Sequence, residues 1–488
     1  MSEVSARPGD AQMAVKICVY AFSSTALFFR GLIDACTKAG DPVEWSIVQP
    51  QGHFRYVFDD VIPDTRRCYL YDDFERRYRG NSPADLKRAL TSGEGLPTAL
   101  LKDKDGYRWL DKREQLRRGS AMDAVYRNFL ERIRPDFILF PDLETVDGFI
   151  LMNLCRELKI GVLYYTNMRF LKRSFLSPDA YESLPSYFGA FTDIDVAGAE
   201  EILKALRERR QLAAPAYENG VPRKPSWFRR LVVSNYLALT SERLHASEET
   251  FWMRITRHFL RYMNPLRRKR FELFSSWYFD VRDVRVGLPE HYVFYALQYT
   301  PESSINGIEP YYVDQTRIID ALLLNLPAGF QLLVKEHPAM CGMRPRAFYR
   351  ELRRRPGVVL IHPQADTRTL IERAAVVCTV TGTIGLECYI LDKPCVLFGR
   401  SFFAHLCASP PDLHRLRRFL EDLICNFHPP TEREKVIEIA KLLNVGGDFV
   451  IYDPWYSPIV MAPQNIRAAR DYLWNHMMKL RDALPNIK

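Results

Sequence analysis

Five short apolar runs, HYVFYALQ, FQLLVKEHP, GVVLIHP, AVVCTVTG and PCVLFG, recur between His291 and Gly399. They are rich in Val, Leu, Ile and aromatic residues and do not alternate with polar ones, so each suits a strand buried on both faces. Segments with helical spacing separate them: YVDQTRIIDALLLNLP, RPRAFYRELRRRP, DTRTLIERA and TIGLECYILD. Strands that alternate with helices in this way must lie parallel, joined by right-handed crossovers, in a doubly wound sheet.

The N-terminal part repeats the rhythm more faintly. VKICVYAF (Val15–Phe22) leads into a Ser/Thr-started helical stretch ending at Gly40. PDFILFPD, the helix VDGFILMNLCRELK and the strand IGVLYYTN follow. At 488 residues the chain is too long for one core. The expected division is a disordered leader over 1–13, a Rossmann-like domain over 14–196, a helical basic insertion over 197–283, a second Rossmann-like domain over 284–460 and a C-terminal helix over 461–488. The insertion is expected because PRKPSWFRRLVV and FWMRITRHFLRYMNPLRRKR mix Trp227, Trp252 and other aromatics with Arg229, Arg230, Arg267, Arg268, Lys269 and Arg270. Such a face suits a membrane surface bearing anionic lipid; a solvated helical face is the plainer alternative.

Composition narrows the partners. A net charge of +9 favours anionic ligands, but no recognised nucleic-acid-binding motif appears, so no nucleic-acid partner is expected. The ten cysteines form no CxxC pair, which reads as reduced thiols in a cytoplasmic protein rather than a zinc ribbon. Neither a signal peptide nor a membrane-spanning helix is expected.

Candidate site residues gather at the ends of the strand runs, where open parallel sheets bind ligands. AVVCTV delivers the chain to Thr381, Gly382 and Thr383, and a helix starts near Ile384. Its free N–H groups favour an anion such as phosphate. Gly382 and Gly385 would let a ligand approach, Thr381 and Thr383 would cap the helix or bind phosphate oxygens, and Glu387 would accept from ribose hydroxyls. A capped corner with glycines for packing remains open. FQLLVKEHP ends in Lys335, His337 and Pro338; Lys335 and His337 are both placed to contact phosphate, and the proline restrains the backbone before it. After HYVFYALQ a long loop carries Gln298, Glu302, Ser303 and Ser304. Asp366 reads as a helix cap. In the N-terminal half Asp142, Glu144 and Asp147 cluster around a strand-to-helix turn, fit for a general base or nucleophile, or simply for a helix start. Arg169, Lys172 and Arg173 follow the next strand and suit an acidic sugar or phosphate.

Together VKEHP, VVLIHP and DTRTLIERAAVVCTVTGTIGLECYILDKPCVLFG resemble the C-terminal domain of capsule polysaccharide biosynthesis proteins, GT-B glycosyltransferases related to the capsular β-Kdo transferases. The resemblance covers about residues 291–403. It implies a GT-B-like α/β fold, two Rossmann-like domains facing a cleft. It also implies a nucleotide-sugar donor, CMP-linked and acidic, and a glycan or lipid-linked acceptor. No further cofactor is expected. No metal is expected either, because the helix start near Ile384 with Lys335 and His337 would hold the phosphate and no DxD motif stands out. The basic insertion would seat the protein at the inner membrane. His337 and Pro338 match the family's His-Pro motif, Gln298 its Gln after the first strand, and Thr381, Gly382, Thr383 and Glu387 its Thr/Ser-Gly turn and following Glu. The family's catalytic carboxylate lies in an acidic-Asp-Gly-Phe pattern; here Asp147-Gly148-Phe149 stands after Val146, where an acid is usual, and Glu144 competes. A sugar-nucleotide epimerase or a glycerol-phosphate polymerase fits the same scaffold, and a non-catalytic capsule-assembly scaffold is the alternative outside enzymes.

Overall fold

The computed structural model describes residues 14–208 and 277–483 except 51–53, 55–56, 81, 92–94, 103–109, 142, 144, 169–172, 301–303, 341–342, 453 and 455–456. Two sheets organise them. The first contains β1 (Val15–Tyr20), β2 (Val43–Gln49), β3 (Arg67–Tyr69), β4 (Phe137–Phe140), β5 (Gly161–Asn167) and β6 (Ser174–Ser177) in the order β3-β2-β1-β4-β5-β6. Its strands are parallel except for β6, which pairs antiparallel with β5. The second contains β7 (Tyr292–Ala296), β8 (Gln331–Lys335), β9 (Val358–Ile361), β10 (Val376–Thr379) and β11 (Cys395–Leu397) in the order β11-β10-β7-β8-β9, all parallel. These five strands coincide with the five apolar runs.

Period-two burial explains why each sheet is covered on both faces. In β1, Ile17 and Val19 face a core with Phe28, Phe29 and Leu32, while Cys18 and Tyr20 face another with Tyr126, Phe129 and Phe149. In β7, Val293 and Tyr295 face one core and Tyr292 and Phe294 the other.

Each sheet reverses its strand order beside its first strand. Successive strands build outward from β1 to β3, then the chain returns to lay β4 on the other side of β1; likewise β10 returns beside β7. The βα loops on either side of such a reversal run in opposite directions, which opens a crevice above the carboxyl ends of the strands. The two crevices thus lie between β1 and β4 and between β7 and β10.

The chain crosses back to its first sheet at the end. Helix Pro463–Ala483 lays Ile466, Ala469 and Leu473 into the core that holds Phe28 and Phe29. Arg470 Nε donates to Asp41 Oδ2 at 2.7 Å.

The expected insertion is only partly described. Its first residues belong to helix Asp193–Glu208, whose Ala199 and Leu203 pack with Leu442 and Leu443 of helix Glu432–Val445. Its last residues join the second sheet's surroundings: Phe279 enters that core, and Asp280 N donates to Leu360 O at 2.9 Å. Trp227, Trp252, Arg229, Arg230, Arg267, Arg268, Lys269 and Arg270 lie outside the described residues. Among the described residues no helix is long and apolar enough to cross a membrane.

Candidate active site

Asp147 sits in the first crevice. It follows β4 at the start of helix Val146–Glu157 and is buried. Tyr20, the last residue of β1, donates from its phenol to Asp147 Oδ2 at 2.7 Å, and Tyr126 from helix Lys112–Ile133 makes a longer 3.4 Å contact to the same oxygen. Thr145 Oγ1 lies 3.1 Å from the Tyr20 hydroxyl. Gly148 makes this possible: a Cβ there would lie 3.2 Å from the Tyr20 hydroxyl and 2.9 Å from Leu143 Cδ1. Glu144 and Asp142 lie outside the described residues, as do Arg169 and Lys172.

Gln298 sits in the second crevice, just after β7. Its Nε2 donates to Thr379 Oγ1, at the end of β10, over 2.6 Å. Its backbone N–H donates to Gln315 Oε1 at 2.7 Å, and its carbonyl accepts from Arg344 Nη2 at 2.6 Å. Gly382 closes over this link. A Cβ there would lie 2.7 Å from Thr379 Oγ1 and 2.9 Å from Gln298 Nε2. Thr381 is buried beside it, while Thr383 holds the N-cap position of helix Ile384–Ile390 without a side-chain capping bond. Glu302 and Ser303 lie outside the described residues; Ser304 opens a π-helical turn, Ser304–Ile308, a form that recurs at functional sites.

The β8 end forms the crevice wall. Glu336 is buried and accepts from Arg344 Nε at 2.8 Å, Tyr349 Oη at 2.7 Å and the His337 backbone N–H at 2.7 Å. Burial still raises its carboxyl above the ordinary range, against the pull of Arg344. His337 Nδ1 accepts from Ala339 N–H at 3.2 Å, within the short turn that Pro338 begins. Burial, with Lys335 and Arg344 nearby, pushes the imidazole down to about 4. His337 is therefore neutral at physiological pH and carries its proton on Nε2. Glu387 is pushed up to about 7 by burial, opposed by Lys335 and Arg368.

Several expectations change. Lys335 does not reach out as a phosphate cation. It is buried, its Nζ donates to Pro363 O at 2.9 Å, and desolvation pulls it down to about 8. Gly385 serves packing, since a Cβ there would lie 2.9 Å from both Cys407 Sγ and Phe403 Cε2. Arg173 pairs with Asp448 at 3.1 Å. Asp366 caps its helix by accepting from Thr369 N–H at 3.0 Å, as its position suggested. Among the described residues no group of three or more His, Cys, Asp or Glu is placed to hold a metal ion.

Sequence reasoning missed Tyr20, Tyr126 and Arg344. The two tyrosines read as core residues, and Arg344 as one cation among several in RPRAFYRELRRRP. Only the fold shows that Arg344 ties Glu336 to Gln298 O and, at 3.3 Å, to Thr300 Oγ1.

The two crevices meet. A Cβ on Gly307, in the loop after β7, would lie 2.8 Å from Leu143 O and 3.4 Å from Phe149 Cζ. Nearby, Ser401 Oγ donates to the buried Glu182 carboxylate at 2.9 Å, and the Arg400 guanidinium lies 3.6 Å from the Tyr181 ring centroid. Glu182 takes a left-handed φ of 60° to do so.

Two doubly wound sheets with apposed switch-point crevices, one holding a carboxylate and the other an amide-and-threonine link, define an α/β protein of the two-Rossmann class. Residues 261–407, a span that contains the second sheet, match the model of the family described as capsule polysaccharide biosynthesis protein. No curated protein matches the chain in sequence. Among solved structures, a β-Kdo 2,4 transferase, KpsC of Thermosulfurimonas dismutans, is 14% identical over 64% of this chain and 80% of its own, with a TM-score of 0.33. The β-Kdo 2,7 transferase of the same KpsC is 11% identical over 70% and 85%, with a TM-score of 0.34. The UDP-GlcNAc 2-epimerase of Methanocaldococcus jannaschii, in complex with UDP-GlcNAc and UDP, is 13% identical over 88% and 99%, with a TM-score of 0.26. Likenesses at these scores carry no argument; the fold rests on the strand order and register above.

Proposed function

We propose that the chain is a glycosyltransferase of capsule or related surface-glycan synthesis, which moves an acidic sugar from a CMP-activated donor to a glycan or lipid-linked acceptor. One observation supports this most: the buried Asp147 carboxylate and the Gln298–Thr379 link lie in crevices that meet at Gly307. A donor spanning that meeting would place its nucleotide over β7 and β10 and its sugar beside Asp147.

In the transfer, the bond between the anomeric carbon and the phosphate oxygen breaks, and its electron pair leaves with the nucleoside monophosphate. The acceptor oxygen bonds to the anomeric carbon. Its proton passes to the Asp147 carboxylate if Asp147 is the base; if it is the nucleophile, a glycosyl-carboxylate ester forms first, and the acceptor oxygen then displaces the carboxylate, which leaves with the ester bond's electron pair and takes up the acceptor's proton. The neutral His337 offers an Nε2–H to the departing phosphate rather than a charge. The backbone N–H groups of Gly382, Thr383 and Ile384 add further donors, and Glu387 accepts from the ribose.

Incubation with CMP-, UDP- and CDP-linked donors and a lipid-linked oligosaccharide acceptor tests the reading. The expected result is CMP release that depends on acceptor and disappears in Asp147→Asn. Turnover of a UDP-sugar alone, without acceptor, would support an epimerase instead. No turnover of any donor would overturn the assignment, as would an unchanged rate in Asp147→Asn.

A further inference from the structure

We propose that Tyr20, with Tyr126 behind it, is a positioning residue for the Asp147 carboxylate. This rests on the reading of Asp147 as the reacting group and adds what holds that group in place.

The geometry is specific. Tyr20 is the last residue of β1 and is 1% exposed. Its ring is packed at 5.1 Å against Phe140 and at 6.2 Å against Phe22, so the hydroxyl has a fixed address. That address is Asp147 Oδ2, at 2.7 Å. Tyr126, fully buried on a different helix, approaches the same oxygen from 3.4 Å. Two phenols that converge on one oxygen fix the rotation of the carboxylate about its bond to Cβ.

Gly148 is part of the device. With a Cβ, this residue would press on the Tyr20 hydroxyl and on Leu143. The glycine after Asp147 therefore has a reason internal to this chain: it keeps the path from β1 to the carboxylate open. The alternative is that Tyr20 and Tyr126 are core side chains that merely satisfy their hydroxyls on a nearby acceptor.

The first of two measurements separates these readings, and the second tests the hydrogen bond on which positioning depends. The first is steady-state release of CMP from a CMP-sugar, by wild type, Tyr20→Phe and Tyr126→Phe. Positioning predicts that Tyr20→Phe lowers kcat by roughly tenfold to a hundredfold, the loss of one hydrogen bond to a charged group, with KM changed by less than about twofold. Tyr126→Phe shows a smaller loss. A wild-type kcat in Tyr20→Phe overturns the proposal and leaves the transferase reading intact. The second measurement needs no turnover. In denaturant unfolding, Tyr20→Phe should shift the equilibrium roughly tenfold more in the wild-type background than in Asp147→Asn, since only the former loses a bond to a charge. Equal shifts in both backgrounds overturn the proposal even if no donor is ever turned over. If Tyr20→Phe does not fold, Gly148→Ala takes its place, displacing the hydroxyl while keeping the ring. A kcat within about twofold of wild type in that variant then counts against positioning.

Discussion

Gly382→Ala tests whether the turn after β10 is a ligand cradle or a packed corner. The added methyl would stand 2.7 Å from Thr379 Oγ1 and 2.9 Å from Gln298 Nε2. Those two atoms are themselves hydrogen-bonded at 2.6 Å, so the methyl must part them. Gln298 cannot retreat easily, because its backbone is held by Gln315 on one side and Arg344 on the other. Loss of the bond costs about 0.5–1.5 kcal/mol, and overpacking a tight site costs about 1–3 kcal/mol. Together the expected loss is on the order of 2–4 kcal/mol. Gly385→Ala is the matched control. Its methyl would meet Cys407 Sγ and Phe403 Cε2 at 2.9 Å, a comparable clash, eased by about 1 kcal/mol of helix propensity. Calorimetric unfolding measures stability, and titration with CMP measures the site. Both variants should be destabilised, but only Gly382→Ala should lose CMP affinity, by about tenfold or more. Equal loss of affinity in both variants, or none in Gly382→Ala, would refute the assignment of the Gln298–Thr379 link to the nucleotide.

Other outcomes follow from the site's charges. His337 titrates near 4 in the folded protein against 6.5 when unexposed to its neighbours, so the unfolded chain binds the extra proton between those values. Stability should fall as pH drops through that window, and His337→Gln should flatten that part of a urea-midpoint curve. Glu387 has the opposite sign: at about 7 folded against 4.5 unfolded, its contribution declines as pH rises from 4.5 to 7, and Glu387→Gln should remove the decline. Glu336→Ala leaves the Arg344 guanidinium without its buried partner and should cost about 3–5 kcal/mol in denaturant unfolding. Arg173→Ala removes an ion pair with the exposed Asp448; it should cost under about 1 kcal/mol and leave CMP affinity unchanged by titration.

The second sheet was legible because its strands are buried on both faces and therefore read as unbroken apolar runs. β2 and β3 hid for the opposite reason: Val43–Gln49 carries Glu44 and Ser46, and Arg67–Tyr69 is three residues long. β6 is an antiparallel addition, Ser174–Ser177, that no βαβ rhythm announces. Gln298 and Asp147 stand out in the sequence as candidates because polar residues just beyond a buried strand have few structural reasons to be there. Tyr20 escaped notice because its ring has every reason to be in a core, and only its hydroxyl acts. Lys335 was misplaced because sequence shows that a lysine ends the strand but not that its amine turns back to Pro363 O.

The returning C-terminal helix has a consequence for biosynthesis. The face of the first sheet that holds Phe28, Phe29 and Leu32 is completed by Phe449, Val460, Ile466 and Leu473. The ribosome makes the two parts of this core far apart along the chain. During translation the first sheet waits with one apolar face uncovered until helix Pro463–Ala483 has emerged. Closure of that face is thus set by when helix Pro463–Ala483 is made, not by when β1 is.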